Sequence, residues 1–145
     1  MSPAELTAYL HQHIPLTAAL GARVLRSEKH EIEIRAPFAP NINHRGTAFG
    51  GSLATMGILS GWAVLHQALS REKILARLVI QKSECDFAEP VNVEFTAVSR
   101  ITEKDWTKFV TTLKRYNKAR ITALSQIHAE GVEAVTHKGT YVALL

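Results

Sequence analysis

FGGSLATMGILSGWAVLHQAL, Phe49 to Leu69, decides the fold of this chain. His66 is its only titratable side chain, and charges return at Arg71, Glu72 and Lys73. A surface helix carries one apolar stripe; this segment is apolar nearly all round and predicts a helix buried nearly all round. It approaches the length of a membrane span, and Gly57 and Gly61 have the spacing of close-packed membrane helices. Gly and Ser lower its hydropathy, however, and strand-like segments flank it, which have no role in a bundle of membrane helices. A core helix is the better reading. Its glycines, with Ala54 and Ser60, let something approach the backbone closely: sheet side chains, a second helix or a slender ligand.

The flanks supply the rest of the fold. Ser2, Pro3 and Glu5 make a capping box for a helix over Pro3–Leu10. His11 and His13, two apart, cannot share a helix face and read as exposed histidines rather than a metal pair. Ala22–Ser27 and Glu31–Ala36 alternate as strands, the second cleanly between charged and apolar residues, with a hairpin turn over Ser27–His30. Pro37 and Pro40 open a loop. Leu78–Phe87 reads as a strand, Pro90 as a turn and Val91–Val98 as a further strand. Trp106, Phe109, Val110, Leu113 and Tyr116 then recur at helical spacing, with Asp105 as a cap. Ile121–His128 and Val132–Leu145 are strands joined at Gly131. The order is helix, two strands, long helix, then four strands with a short helix between them. It predicts an α+β architecture in which one helix is wrapped by a mostly antiparallel sheet.

The loop before the long helix is Asn43–Ser52, NHRGTAFGGS. The first amides of a helix lack internal partners and carry the positive end of its dipole, and Gly50 and Gly51 leave them uncovered for a polar ligand atom. Neither GxxxxGK[ST] nor GxGxxG is present, which argues against a phosphate loop. A lone Gly-Gly is more often a tight entry turn, so the surrounding residues matter. Asn43-x-x-Gly46-x-x-Phe49-Gly50-Gly51 resembles the N-x-x-G-x-x-H-G-G pattern of hotdog-fold acyl-CoA thioesterases. The wider string APFAPNINHRGTAFGGSLATMGILSGW is similar to one branch, the YiiD C-terminal-domain type of thioesterase-like protein. That branch also occurs fused to GNAT-type acetyltransferases. IPLTAALGARV, FTAV, KARITALSQI and GTYVALL extend the likeness over nearly the whole chain. It implies a single hotdog domain over residues 1–145, and the 145 residues correspond to the hotdog part alone.

The resemblance implies a thioester hydrolase needing neither cofactor nor metal. The substrate carbonyl would lie at the helix N-terminus, polarised by the Gly51 N–H. Asn43 matches the loop asparagine that orients water or holds the carbonyl. Thr47, Phe49, Gly50, Ser52 and Thr55 would line the substrate, and the apolar helix face would line an acyl tunnel. Such folds work as homodimers, or tetramers, with the site at the subunit interface. Two departures stand out. Phe49 replaces the common His, and Ile58 stands where the acidic base or nucleophile is expected. Hydrolysis needs a group that activates water or attacks the carbonyl. His44 is the nearest titratable candidate, read equally well as an exposed loop histidine. Glu84 and Asp86 read as exposed strand charges, Cys85 as a small core residue, and His66 and His128 as structural or surface.

Composition narrows the partners. Hydrophobic residues make up 46% and charged residues 21%, an ordinary globular balance. One cysteine makes no internal disulfide, and MSPAELTAYLHQHIPL has no basic region before an apolar run; together they predict a cytoplasmic protein. The net charge of +4 and pI of about 9.4 come from scattered residues without a nucleic-acid motif. An anionic thioester such as acyl-CoA, or an acyl-carrier-protein thioester, fits that surface better than nucleic acid. Two other readings remain at this level: a non-catalytic acyl-thioester binder, motivated by Ile58, and a hydroxyacyl-thioester dehydratase using His44 with Asp86.

Overall fold

Ser2 opens the first helix as its spacing from Glu5 predicts. In the computed structural model, which describes residues 1–145, its hydroxyl accepts from the Glu5 N–H at 3.1 Å and Glu5 Oε2 accepts from the Ser2 N–H at 3.1 Å. α1 (Pro3–His13) continues past Leu10. His11 is therefore half-buried instead of exposed, with Nε2 2.6 Å from the Ala22 carbonyl oxygen. α2 (Pro15–Leu20) escaped the sequence reading because it is too short to show a period. Proline starts it and Gly21, in the left-handed region, ends it.

The strands are β1 (Arg23–Glu28), β2 (Glu31–Ala36), β3 (Arg77–Phe87), β4 (Phe95–Arg100), β5 (Lys118–Ala129) and β6 (Val132–Leu144). They form one six-stranded sheet in the order β1-β2-β4-β5-β6-β3, every neighbouring pair antiparallel. In β2 the apolar set Ile32, Ile34 and Ala36 is fully buried, as its alternation predicts. β4 begins at Phe95 and not at Val91, because the Val91 carbonyl accepts from the Ala48 N–H at 2.7 Å and ties that stretch to the loop before the long helix. α4 (Glu103–Tyr116) starts earlier than Asp105: Thr102 is its cap, its hydroxyl accepting from the Asp105 N–H at 3.1 Å. Trp106, Phe109, Val110 and Leu113 face the core, while Tyr116 stays exposed.

The apolar segment forms α3 (Gly50–Arg71), 22 residues long. It lies in the curve of the sheet and touches β2, β3, β4, β5 and β6. No helix is long and apolar enough to cross a membrane. Its glycines admit sheet side chains. A Cβ on Gly57 would come within 2.6 Å of His137 Cβ and Cγ, and one on Gly61 would strike the Tyr141 hydroxyl. The Tyr141 hydroxyl donates to the Ile58 carbonyl at 2.7 Å, and burial holds that phenol well above its usual pKa. Burial around α3 is not uniform. Gly51, Thr55, Ile58, Trp62 and His66 form one less-covered stripe at helical spacing. Its far end is closed by α1, since His66 stacks between Trp62 and Tyr9 with ring centroids 4.7 and 4.8 Å away.

One charge cluster ties three outer residues together. Glu31 accepts from Arg100 Nε at 2.8 Å and also from Arg26, and these hydrogen bonds, Arg100 first, hold its carboxyl below the usual range. The depressed pKa means that its contribution is complete above about pH 4.3 and disappears as pH falls through the folded-state value. With the cluster partly in solvent, Glu31→Gln is expected to cost about 1 kcal/mol at neutral pH. Urea unfolding should then show the gap between variant and parent closing as pH falls below about 4.3 and through the folded-state value. A gap undiminished in acid would assign the loss to packing instead.

Candidate active site

Two asparagines shape the loop before α3, and they do different work. Asn41 is buried; its Nδ2 donates to the Leu20 carbonyl at 2.9 Å and the Pro37 carbonyl at 2.7 Å, and its own carbonyl accepts from the Phe49 N–H at 2.7 Å. It therefore fixes both where the loop begins and where α3 starts. Asn43 is half-buried and organises the loop itself. Its Oδ1 accepts from the Arg45 N–H at 2.8 Å and the Thr47 N–H at 3.1 Å, and its Nδ2 donates to Thr47 Oγ1 at 2.8 Å. One Nδ2 hydrogen is left over for another acceptor. Gly46 completes the turn at φ +80°, in the left-handed region that favours glycine.

At the helix start the first internal bonds run from the Ser52 and Leu53 amides to the Phe49 carbonyl, at 2.9 and 3.1 Å. The Gly50 and Gly51 amides precede these and have no acceptor in the chain. No side chain caps the end either; Phe49 is the cap residue, and its exposed ring folds back against Gly51. Two bare donors thus sit at the positive end of a long helix dipole. The Phe87 ring, from the end of β3, lies 3.8 Å from where a Cβ on Gly50 would be. Thr55 donates to the Gly51 carbonyl at 2.7 Å, and Ser52 sits half-buried in the first turn.

The titratable candidates near this point are scattered. His44 is exposed on the loop. Glu84 is paired with Lys82 at 2.8 Å on the exposed strand β3, and Asp86 is exposed further along it. Cys85 packs against the core, where burial pushes its thiol pKa up and away from reactivity. No three His, Cys, Asp or Glu side chains cluster closely enough to hold a metal ion.

The sequence reading passed over one pair. His137 of β6 is fully buried under α3, and its Nε2 lies 2.7 Å from Ser83 Oγ on β3. Its other ring nitrogen, Nδ1, is buried with no partner, and burial pulls the pKa down, so the ring is neutral. The available signal was parity: His137, Gly139 and Tyr141 alternate along β6, and the first and last face the glycines of α3. A cavity of about 760 Å³ lies elsewhere, between α4 and β5 among Lys108, Tyr116, Lys118 and Arg120. In one copy of the chain the helix start is open surface, so cavity size does not mark the site.

A long core helix held in a curved antiparallel sheet, with a glycine-opened N-terminus beside an asparagine loop, defines a hotdog-fold protein of the thioesterase type. The chain belongs to the family described as "Putative thioesterase (yiiD_Cterm)", whose model matches residues 3–145. Solved structures share the fold. A protein of unknown function from Chlorobaculum tepidum is 25% identical, with a TM-score of 0.90 over 97% of this chain and 92% of that one. A structure described as a putative thioesterase from Shewanella oneidensis is 24% identical, with a TM-score of 0.89 over 99% and 97%. A thioesterase from Haemophilus influenzae, at 13% identity, keeps a TM-score of 0.78 over 99% and 91%.

Proposed function

We propose that this protein hydrolyses an acyl thioester, carried on coenzyme A or an acyl carrier protein, with the carbonyl oxygen bound at the start of α3. The observation that carries the reading is the pair of Gly50 and Gly51 amides without acceptors, in a chain of a thioesterase-type family. Such donors are worth most where oxygen gains charge, in the tetrahedral transition state. Thr47, Phe49, Ser52 and Thr55 border the position, and the acyl chain follows the less-covered stripe past Thr55 and Ile58. Asn43 holds the loop in shape and offers its remaining Nδ2 hydrogen to the substrate or to water. The working unit is a homodimer with the site between subunits, an arrangement favoured by the exposed, unpaired edge of β3.

The test is release of free thiol from a panel of acyl-CoA thioesters by the purified protein, followed by comparison with Asn43→Ala. Turnover by the parent and a fall of about tenfold in kcat/KM are expected, the size of a modest misplacement of reacting groups. Undiminished activity in the variant would remove Asn43 from the site. Ile58, at the helix position where an acid is expected, favours a second reading, a non-catalytic acyl-thioester binder. Calorimetry showing tight acyl-CoA binding together with background thiol release would select it.

A further inference from the structure

The acid–base chemistry that α3 lacks at Ile58 has an equivalent on the sheet, at the height of Gly57. His137 reaches that glycine with its Cβ and Cγ, and holds Ser83 Oγ at 2.7 Å from Nε2. We infer that Ser83 is the nucleophile and His137 the general base of the thioester hydrolysis proposed above, acting at the helix start of a second copy of the chain. The inference rests on that reading of the function.

Three observations carry it. First, His137 is not held as a purely structural buried histidine would be. One nitrogen is spent on Ser83, and Nδ1 is buried without any partner, a cost that native interiors rarely leave unexplained. The tautomer with hydrogen on Nδ1 leaves Nε2 free to accept the Ser83 proton. Second, Ser83 is exposed on β3, whose other edge pairs with no strand, so a substrate or a second chain can reach it. Third, the distances require two copies. Gly51 and Gly57 are six residues apart on one helix, about 9 Å along its axis, whereas nucleophile and oxyanion donor must both lie within about 3 Å of one reacting group.

Edge-to-edge pairing of β3 with its twin removes that mismatch. An antiparallel pair centred on Cys85 sets Ser83 opposite Phe87 of the partner subunit, on the same face of the extended sheet. The Phe87 ring borders Gly50 of its own chain, so each Ser83 is delivered to the other subunit's helix start. Ser83 Oγ then attacks the thioester carbon as its proton passes to His137 Nε2. The tetrahedral intermediate, its oxyanion on the Gly51 amide of the partner subunit, collapses with cleavage of the C–S bond. The departing thiolate takes the proton from His137. A water deprotonated by the same nitrogen attacks the acyl-serine; the ester bond breaks, the carboxylic acid leaves and the proton returns to Ser83.

The experiment uses the full chain and the acyl-CoA panel. Ser83→Ala is expected to lower kcat about 100-fold or more, and acid-quenched intact mass should show an acyl adduct on the parent and on Ser83→Cys but not on Ser83→Ala. Turnover by the parent with undiminished turnover by Ser83→Ala would overturn this inference and leave the function standing. A parent without turnover would overturn both. Co-expression of Ser83→Ala with Gly51→Pro tests the second copy. Mixed dimers carry one intact composite site, so activity should return to about a quarter of the parent. Recovery no greater than the sum of the two variants would show that each site is built within one chain.

Discussion

Gly51→Pro is expected to lower kcat about 100-fold or more while the protein stays folded. The substitution deletes one amide hydrogen and adds ring carbons that meet the exposed Phe49 ring; position 51 is in the first helical turn, where proline is tolerated because the N–H has no internal acceptor. Removing a single donor from an oxyanion site typically costs about 3 kcal/mol of transition-state stabilisation. Gly51→Ala is the control. It keeps the N–H, and its Cβ meets only the exposed Phe49 ring, which can swing aside. The expected pattern is loss of kcat in the proline variant, near-parental kcat in the alanine variant and similar unfolding midpoints for both. Equal losses in the two variants would point to crowding at Phe49 and away from the amide.

Gly57→Ala is expected to destabilise the fold by about 2 kcal/mol, although alanine is the better helix former by about 1 kcal/mol. The added Cβ would meet His137 Cβ and Cγ at 2.6 Å. The Cβ is bonded to the β6 backbone itself, so no rotation of the side chain relieves its contact, and the helix and sheet must separate. Chemical denaturation reads the effect. A variant more stable than the parent would mean that β6 yields easily under α3, and the packing account would fail.

Much of the architecture was legible because its signals are local. The Ser2–Glu5 box, the alternation of Glu31–Ala36 and the unbroken apolar run after Phe49 each specify an element within a few residues. The misreadings fall where a distant partner decides. Val91–Glu94 alternates like a strand, yet Val91 spends its carbonyl on Ala48. His11 has nothing in its neighbours to predict that it reaches Ala22. The loop pattern around Asn43 marked the helix start, but Asn41, two residues earlier, carries the buried hydrogen bonds that fix it. Ser83 and His137 are 54 residues apart, and the pairing of β3 with β6 brings them together, with His137 seated against the bare backbone of Gly57.

The strand order has a consequence for how the chain is made. β6 follows β1–β5 in sequence, yet it lies between β5 and β3 and supplies the two rings that fill the glycine notches of α3. Until it arrives, the Gly57 and Gly61 notches of α3 and the facing edges of β3 and β5 have no cover. Closure of the sheet must therefore wait for the 13 residues of β6, and chains that lack it expose the surfaces that invite aggregation. β6 works as the keystone of the sheet, and dependence on chaperones should be greatest while the elements before it are present without it.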